Sequence, residues 1–160
     1  MRLLLKEKTK VSAEEGKQEL FISREFDLPL GPLFKAFTER DLVEQWMGTK
    51  VLELESKKYG SYRFETRDAK GNIKLQVNGV IHELDPNKKI TRTFEMENTP
   101  FGVQLEIYEF EKLTEDRSKL NMHVIYESVA QRDQVLKLPF AQGINMAHNR
   151  LENIIMKLIS

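Results

Sequence analysis

The chain has 160 residues, of which 40% are hydrophobic and 31% are charged, so it can form one domain with a buried core and is too apolar for wholesale disorder. Its 25 basic residues equal its 25 acidic residues in number, which argues against nucleic-acid or anionic-membrane partners, because both need a basic surface excess. The absence of cysteine excludes disulfides, thiol catalysis and cysteine-ligated zinc.

The N-terminal segment 1–17 is rich in charge, and its only apolar cluster is residues 3–5. This cluster is too short for a secretory signal, and no run in the chain approaches transmembrane length. We expect segment 1–17 to be a charged arm or an extra edge strand, residues 18–160 to form a single domain, and the protein to be cytoplasmic.

Period-two alternation predicts the first strand at residues 19–28. The apolar positions of one parity are Leu20, Ile22, Phe26 and Leu28, and Arg24 interrupts them. We expect these apolar side chains to form the buried face of a sheet.

Two short helices are predicted after this strand. Pro29 and Pro32 end the strand, and Pro32 suits the first position of a helix, where its missing N–H costs nothing. The second helix is predicted to open at Thr38, because Thr38 and Asp41 have the spacing of a capping box. Gly48 suits the C-terminal end of that helix.

Residues 50–127 have the pattern of strand after strand, without intervening helices. Six apolar-alternating runs occur, and polar turn sequences at residues 68–72, 85–88, 98–102 and 115–118 separate the last five of them. With the first strand, this predicts an antiparallel sheet of about six to seven strands.

The strand that begins at Val103 is ambiguous. Val103, Leu105 and Ile107 share one parity, whereas Tyr108 and Phe110 have switched parity. We expect a bulge at the switch, or a strand that leaves the core.

The C-terminal segment is predicted to be a long amphipathic helix. Apolar residues at spacings of three and four form a stripe made of Ile144, Ala147, Leu151, Ile154, Ile155 and Leu158, together with His148. Since neither this stripe nor the apolar sheet face can be left in water, they must cover each other. The fold class is therefore α+β.

Four stretches also match a known family pattern. They are residues 24–29 with 34–38, residues 42–48 around Trp46, residues 60–64 with 67–71, and residues 79–86 with 89–90. In these stretches the chain resembles the START-like superfamily (SRPBCC, helix-grip or Bet v 1-like fold). Within it, the chain is similar to the activator of heat-shock protein 90 ATPase homologue family. It departs from the family at Gly143-Ile144, where members often have Gly-Trp.

This resemblance implies a curved antiparallel sheet that wraps around the C-terminal helix, with a cavity between them. It also implies a mixed set of functions. We expect a module that binds a small apolar or amphipathic ligand. The alternatives are a protein-interaction module, like the co-chaperone members that activate a chaperone ATPase, and a cavity enzyme of unknown reaction.

The inward-facing apolar residues are the candidate cavity wall. They are Trp46, Phe64, Ile81, Phe94, Leu105, Ile144, Leu151 and Ile155. Trp46 could equally be a core residue whose N–H donates to a carbonyl.

Arg92 and His148 are the candidate polar groups of the cavity. Arg92 shares the parity of the inner face, so it would meet a ligand, pair with an internal acid such as Glu83 or Glu109, or face water after a register slip. His148 would face the ligand, or lie half-exposed at the edge of the helix stripe.

No motif predicts catalysis or metal binding. The three histidines, His82, His123 and His148, are dispersed, and no nucleophile elbow, phosphate loop or paired acidic motif occurs. We therefore expect no cofactor, and a small hydrophobic ligand or a chaperone as the partner. Monomer and homodimer remain equally compatible with the sequence.

Overall fold

A computed structural model describes residues 7–160, which form eight strands in one sheet and four helices. The strands are β1 (Lys10–Ser12), β2 (Glu19–Phe26), β3 (Lys50–Leu54), β4 (Ser61–Arg67), β5 (Ile73–Asp85), β6 (Lys89–Met96), β7 (Val103–Lys112) and β8 (Ser118–Ile125). The helices are α1 (Leu30–Thr38), α2 (Arg40–Met47), α3 (Val129–Leu136) and α4 (Phe140–Ile159). This is the predicted α+β fold, a curved antiparallel sheet with a long C-terminal helix.

The sheet is antiparallel throughout, in the order β1-β2-β8-β7-β6-β5-β4-β3. It has eight strands rather than the six to seven predicted, because β1 pairs with β2 at one edge, with Val11 opposite Ile22. A strand of three residues is too short to show period-two alternation, so no alternation in segment 1–17 marked its position. The apolar cluster at residues 3–5 lies outside the described residues.

Two helix boundaries differ from the prediction. α1 begins two residues before Pro32, which therefore lies in the first turn, where backbone N–H groups have no intrahelical acceptor anyway. The expected capping box is wrong: Thr38 is the last residue of α1, and Glu39 precedes α2 without a side-chain cap. Gly48 ends α2 in the left-handed conformation, as predicted.

β7 has no bulge, because its pairing with β6 runs without a register shift from Lys89–Glu109 to Glu95–Val103. Its buried residues are Gln104, Glu106, Tyr108 and Phe110. The prediction that Leu105 faces the interior is therefore wrong. Burial of the two aromatic rings sets the parity of the whole strand, and the two polar side chains follow them inward.

α4 covers the concave side of the sheet. It packs against α1, α2 and α3 and approaches the edge strand β1. Its buried residues are His148, Leu151, Glu152 and Ile155. In the described part of the chain, no helix is both long and apolar enough to cross a membrane.

Candidate functional site

A cavity of about 560 Å³ lies between the inner face of the sheet and the helices. Ligand sites of proteins typically have volumes of about 300–1,000 Å³, so this space is of the size that holds a small molecule. Apolar side chains from every helix and from six of the strands form most of the wall. Among them are Phe37, Trp46, Phe64, Phe94, Ile144 and Ala147.

The candidate wall residues fall into three groups. Trp46, Phe64, Phe94 and Ile144 line the cavity, as do Arg92 and His148. Ile81, Leu151 and Ile155 are buried in the surrounding core and are not part of the wall. Leu105 lies on the opposite face of β7, because the side chains of its neighbours Gln104 and Glu106 face inward.

Trp46 is both a core residue and a wall residue. Its indole Nε1 donates to the carbonyl of Ala36 at 2.7 Å, and its ring meets the ring of Phe37 edge to face at 5.2 Å. Trp46 is therefore packed in the core and lines the cavity from the same position. Because its polar atom is satisfied inside the protein, it presents only an apolar surface to the cavity.

A group of four hydrogen-bonded side chains, which we call the Arg92 cluster, lies in the wall: Arg92, Gln104, Glu106 and Tyr108. Arg92 donates from Nε to Glu106 at 2.9 Å and from Nη2 to the hydroxyl of Tyr108 at 2.7 Å. Tyr108 donates to the same carboxylate at 2.9 Å, and Gln104 donates to its other oxygen at 2.8 Å. The acid that pairs with Arg92 is therefore Glu106, not Glu83 or Glu109.

The guanidinium of Arg92 is charged in this environment. Burial opposes the charge, but the interactions with Tyr108, Tyr62 and the carboxylate of Glu106 outweigh it and hold the pKa of Arg92 above its usual value. Of these partners, Glu106 carries the negative charge. The guanidinium carbon also lies 4.7 Å from the ring centre of Tyr62 and 4.9 Å from that of Tyr108, which are cation–π distances. Burial also raises the pKa of Tyr108, so its hydroxyl remains protonated.

Tyr126 adds an unsatisfied hydroxyl to this region. It follows β8 with inward parity, one residue beyond the pair of Leu105 and Ile125. Tyr126 lines the cavity, yet its buried hydroxyl has no hydrogen-bond partner among residues 7–160. Burial and the charge of Glu106 raise the pKa of Tyr126, so the hydroxyl keeps its proton as an unused donor.

His148 lies in the wall at another point, where it joins a second buried group, the Arg24 cluster: Thr9, Arg24, His148, Asn149 and Glu152. Nδ1 of His148 lies 2.8 Å from the hydroxyl of Thr9. His148 is only 2% exposed, so the interpretation as a half-exposed residue is wrong. Burial and the charge of Arg24 lower the pKa of His148 to about 3, so its ring is neutral.

Among residues 7–160, no three His, Asp or Glu side chains come together as a metal site. His123 lies away from His148 and contacts the carboxylate of Glu19 at 2.6 Å. Its ring stacks on Phe21 at 4.4 Å between ring centres. His123 is thus accounted for by side chains of the sheet.

Residues 27–156 match the family model described as Activator of Hsp90 ATPase homolog 1-like protein. The chain belongs to this family. The match spans the two short helices, the sheet from β3 to β8 and almost all of α4. It therefore includes the whole Arg92 cluster, whereas β1 and β2 lie before it.

Solved structures support the same fold. A protein from Rhodobacter sphaeroides aligns with a TM-score of 0.81 at 19% identity, over 92% of this chain and 99% of that chain. A protein from Mycobacterium smegmatis aligns with a TM-score of 0.80 at 18% identity, over 91% and 95%. A protein from Arthrobacter aurescens aligns with a TM-score of 0.81 at 14% identity, over 92% and 91%. No curated protein matches the chain by sequence.

Proposed function

We propose that this protein binds a small amphipathic molecule in the cavity between its sheet and α4. The observation that carries the proposal is the 560 Å³ space itself. Protein interiors are close-packed, and the voids they contain are few and rarely exceed the size of a water molecule. A large apolar space is costly to maintain, because the side chains around it lose packing contacts, and a ligand would restore those contacts.

The wall suits a molecule with an apolar body and a polar end. Phe64, Phe94 and Ile144 offer apolar surface, whereas Arg92 and Glu106 place polar atoms at one region of the wall. Ligand pockets commonly combine a mostly apolar lining with a few placed polar groups that fix orientation. The match to the family and the shared fold support a module of this kind.

The proposal can be tested with the neutral apolar dye N-phenylnaphthylamine, whose fluorescence rises in an apolar environment. We expect saturable binding to the purified protein. Ala147 of α4 lines the cavity, so Ala147→Phe adds a ring to the space and should weaken dye binding at least about tenfold. Met146 is the next residue on the same helix and is 52% exposed, so Met146→Phe should leave dye binding unchanged.

Two results would contradict ligand binding in this cavity. One is an absence of saturable fluorescence with the wild-type protein. The other is equal dye affinity for Ala147→Phe and Met146→Phe, because it would place the dye elsewhere on the surface. Thermal unfolding of both variants checks that a loss of binding is not a loss of fold.

A second candidate function comes from the family description, which names activation of the Hsp90 ATPase. The test is the ATPase rate of purified Hsp90 with increasing amounts of this protein. A saturable increase in rate supports the co-chaperone function, and an unchanged rate at excess protein argues against it.

A further inference from the structure

The Arg92 cluster is already balanced in charge before any ligand arrives. Arg92 supplies one positive charge and Glu106 supplies one negative charge, with 2.9 Å between Nε and the carboxylate oxygen. Their side chains are only 11% and 7% exposed, so little water screens them. A ligand that brought a further charge to this point would leave one charge unpaired in a buried site, which is costly.

The cluster still has unused hydrogen-bonding capacity. Within residues 7–160, Nη1 of Arg92 makes no hydrogen bond. The amide of Gln104 uses its nitrogen on Glu106, which leaves its oxygen as a free acceptor. The two N–H groups of Nη1 and one amide oxygen are thus free on neighbouring strands, and both side chains line the cavity.

These two properties together select a type of chemical group. An uncharged oxygen, such as that of an alcohol or a ketone, can accept from a tyrosine hydroxyl or a guanidinium, and an alcohol can also donate to an amide oxygen. Such a group satisfies the free donors without adding charge. A carboxylate would add a second negative charge beside Glu106, and an ammonium would add a second positive charge beside Arg92.

Resting on the ligand-binding function proposed above, we propose that the Arg92 cluster recognises an uncharged oxygen on an otherwise apolar ligand. The apolar body lies along Phe64, Phe94 and Ile144, and the oxygen lies against Nη1 of Arg92. The site discriminates against molecules of the same shape that carry a carboxylate or an ammonium group.

The test uses probes that share one chain and differ in the head group: decanol, decan-2-one, decanoate and decylammonium. Each is titrated against the complex of the wild-type protein with N-phenylnaphthylamine. We expect decanol and decan-2-one to displace the dye at concentrations about tenfold lower than decanoate and decylammonium, the scale of one well-made hydrogen bond and one avoided buried charge. The alcohol should be favoured over the ketone if the Gln104 oxygen accepts its proton.

The outcomes separate this inference from the proposed function. If the dye does not bind at all, both fail. If the dye binds and decanoate or decylammonium displaces it as well as decanol does, only the inference about the uncharged oxygen is overturned.

Discussion

The hydroxyl of Thr9 lies 2.8 Å from Nδ1 of His148, which joins the residue before β1 to the middle of α4. Nη1 of Arg24 reaches the same hydroxyl at 3.2 Å. Since a guanidinium can only donate, the hydroxyl oxygen accepts from Arg24, and its other contact is with the imidazole. The imidazole is neutral, because burial and the charge of Arg24 lower the pKa of His148.

The first prediction concerns this contact. Thr9→Val keeps the shape of the side chain but removes the hydroxyl, which leaves Nδ1 of His148 without its partner in a buried site and removes one of the acceptors of Nη1 of Arg24. Buried groups left unsatisfied cost about 1–3 kcal/mol. We expect a loss of this size in the free energy of unfolding, measured by urea denaturation. Thr91→Val is the control, because the Thr91 hydroxyl bonds to the exposed carboxylate of Glu83, and an equal loss there would contradict the prediction.

The second prediction concerns the pH dependence of stability. The pKa of His148 is lowered from 6.5 to about 3 by burial and by the charge of Arg24. Between these values the unfolded chain binds a proton that the folded protein does not, so the stability is fully present above pH 6.5 and is lost as the pH falls. The limiting slope is about 1.4 kcal/mol per pH unit, which predicts a loss of about 2 kcal/mol between pH 7 and pH 5.

The measurement isolates this residue by comparison with a variant. His148→Gln cannot take up a proton in this range, so its stability should fall by about 2 kcal/mol less than that of the wild type between pH 7 and pH 5. His82 is exposed, and His82→Gln should show the wild-type dependence. Parallel curves of unfolding free energy against pH for the wild type and His148→Gln would show that His148 is not held neutral by burial.

Periodicity predicted much of this fold, because the apolar residues of two strands recur at every second position and those of one helix at every third or fourth. β2, β8 and α4 each have one buried face, and their patterns were unambiguous. β7 has apolar residues on both faces, so its pattern could not decide between them. Tyr108 and Phe110 together were the available signal, since burying two aromatic rings outweighs burying smaller aliphatic side chains.

The polar parts of the site were harder to predict, because each depends on partners far away in the sequence. Arg24 breaks the apolar parity of β2 but is only 1% exposed, and Asn149 accepts from it at 2.8 Å. These two residues are 125 positions apart, so no local pattern connects them. Arg92 was predicted to face inward, whereas its partner Glu106 was hidden by the misassigned face of β7.

The third prediction concerns the buried ion pair of Arg92 and Glu106. Removing one member leaves a buried charge, so Glu106→Leu should cost about 3–5 kcal/mol of unfolding free energy. Adding Arg92→Met to that variant removes the stranded charge. A double-mutant cycle should therefore give a coupling energy of at least about 2 kcal/mol, measured by chemical denaturation.

The control for this cycle is the ion pair of Arg63 and Glu97, whose side chains are 45% and 21% exposed. Water screens this pair, although Arg63 donates to both carboxylate oxygens, at 2.9 Å and 3.1 Å. Its coupling energy should be clearly smaller than that of the Arg92 pair. Equal coupling energies for the two pairs would contradict the view that burial makes the Arg92 pair strong.

The last prediction concerns two glycines with opposite surroundings. A Cβ added to Gly79 of β5 would lie 2.6 Å from Cε1 of Tyr62 and would overlap the carbonyl oxygen of Thr93, so neighbouring groups must move. Gly79→Ala should therefore cost about 1–3 kcal/mol or more through overpacking. Gly31 of α1 has nothing within 4 Å of the added atom, and Gly31→Ala should raise the stability by about 0.5–1 kcal/mol, because alanine favours the helix. The melting temperature should therefore fall for Gly79→Ala and rise for Gly31→Ala. Shifts in the same direction for both variants would contradict this account.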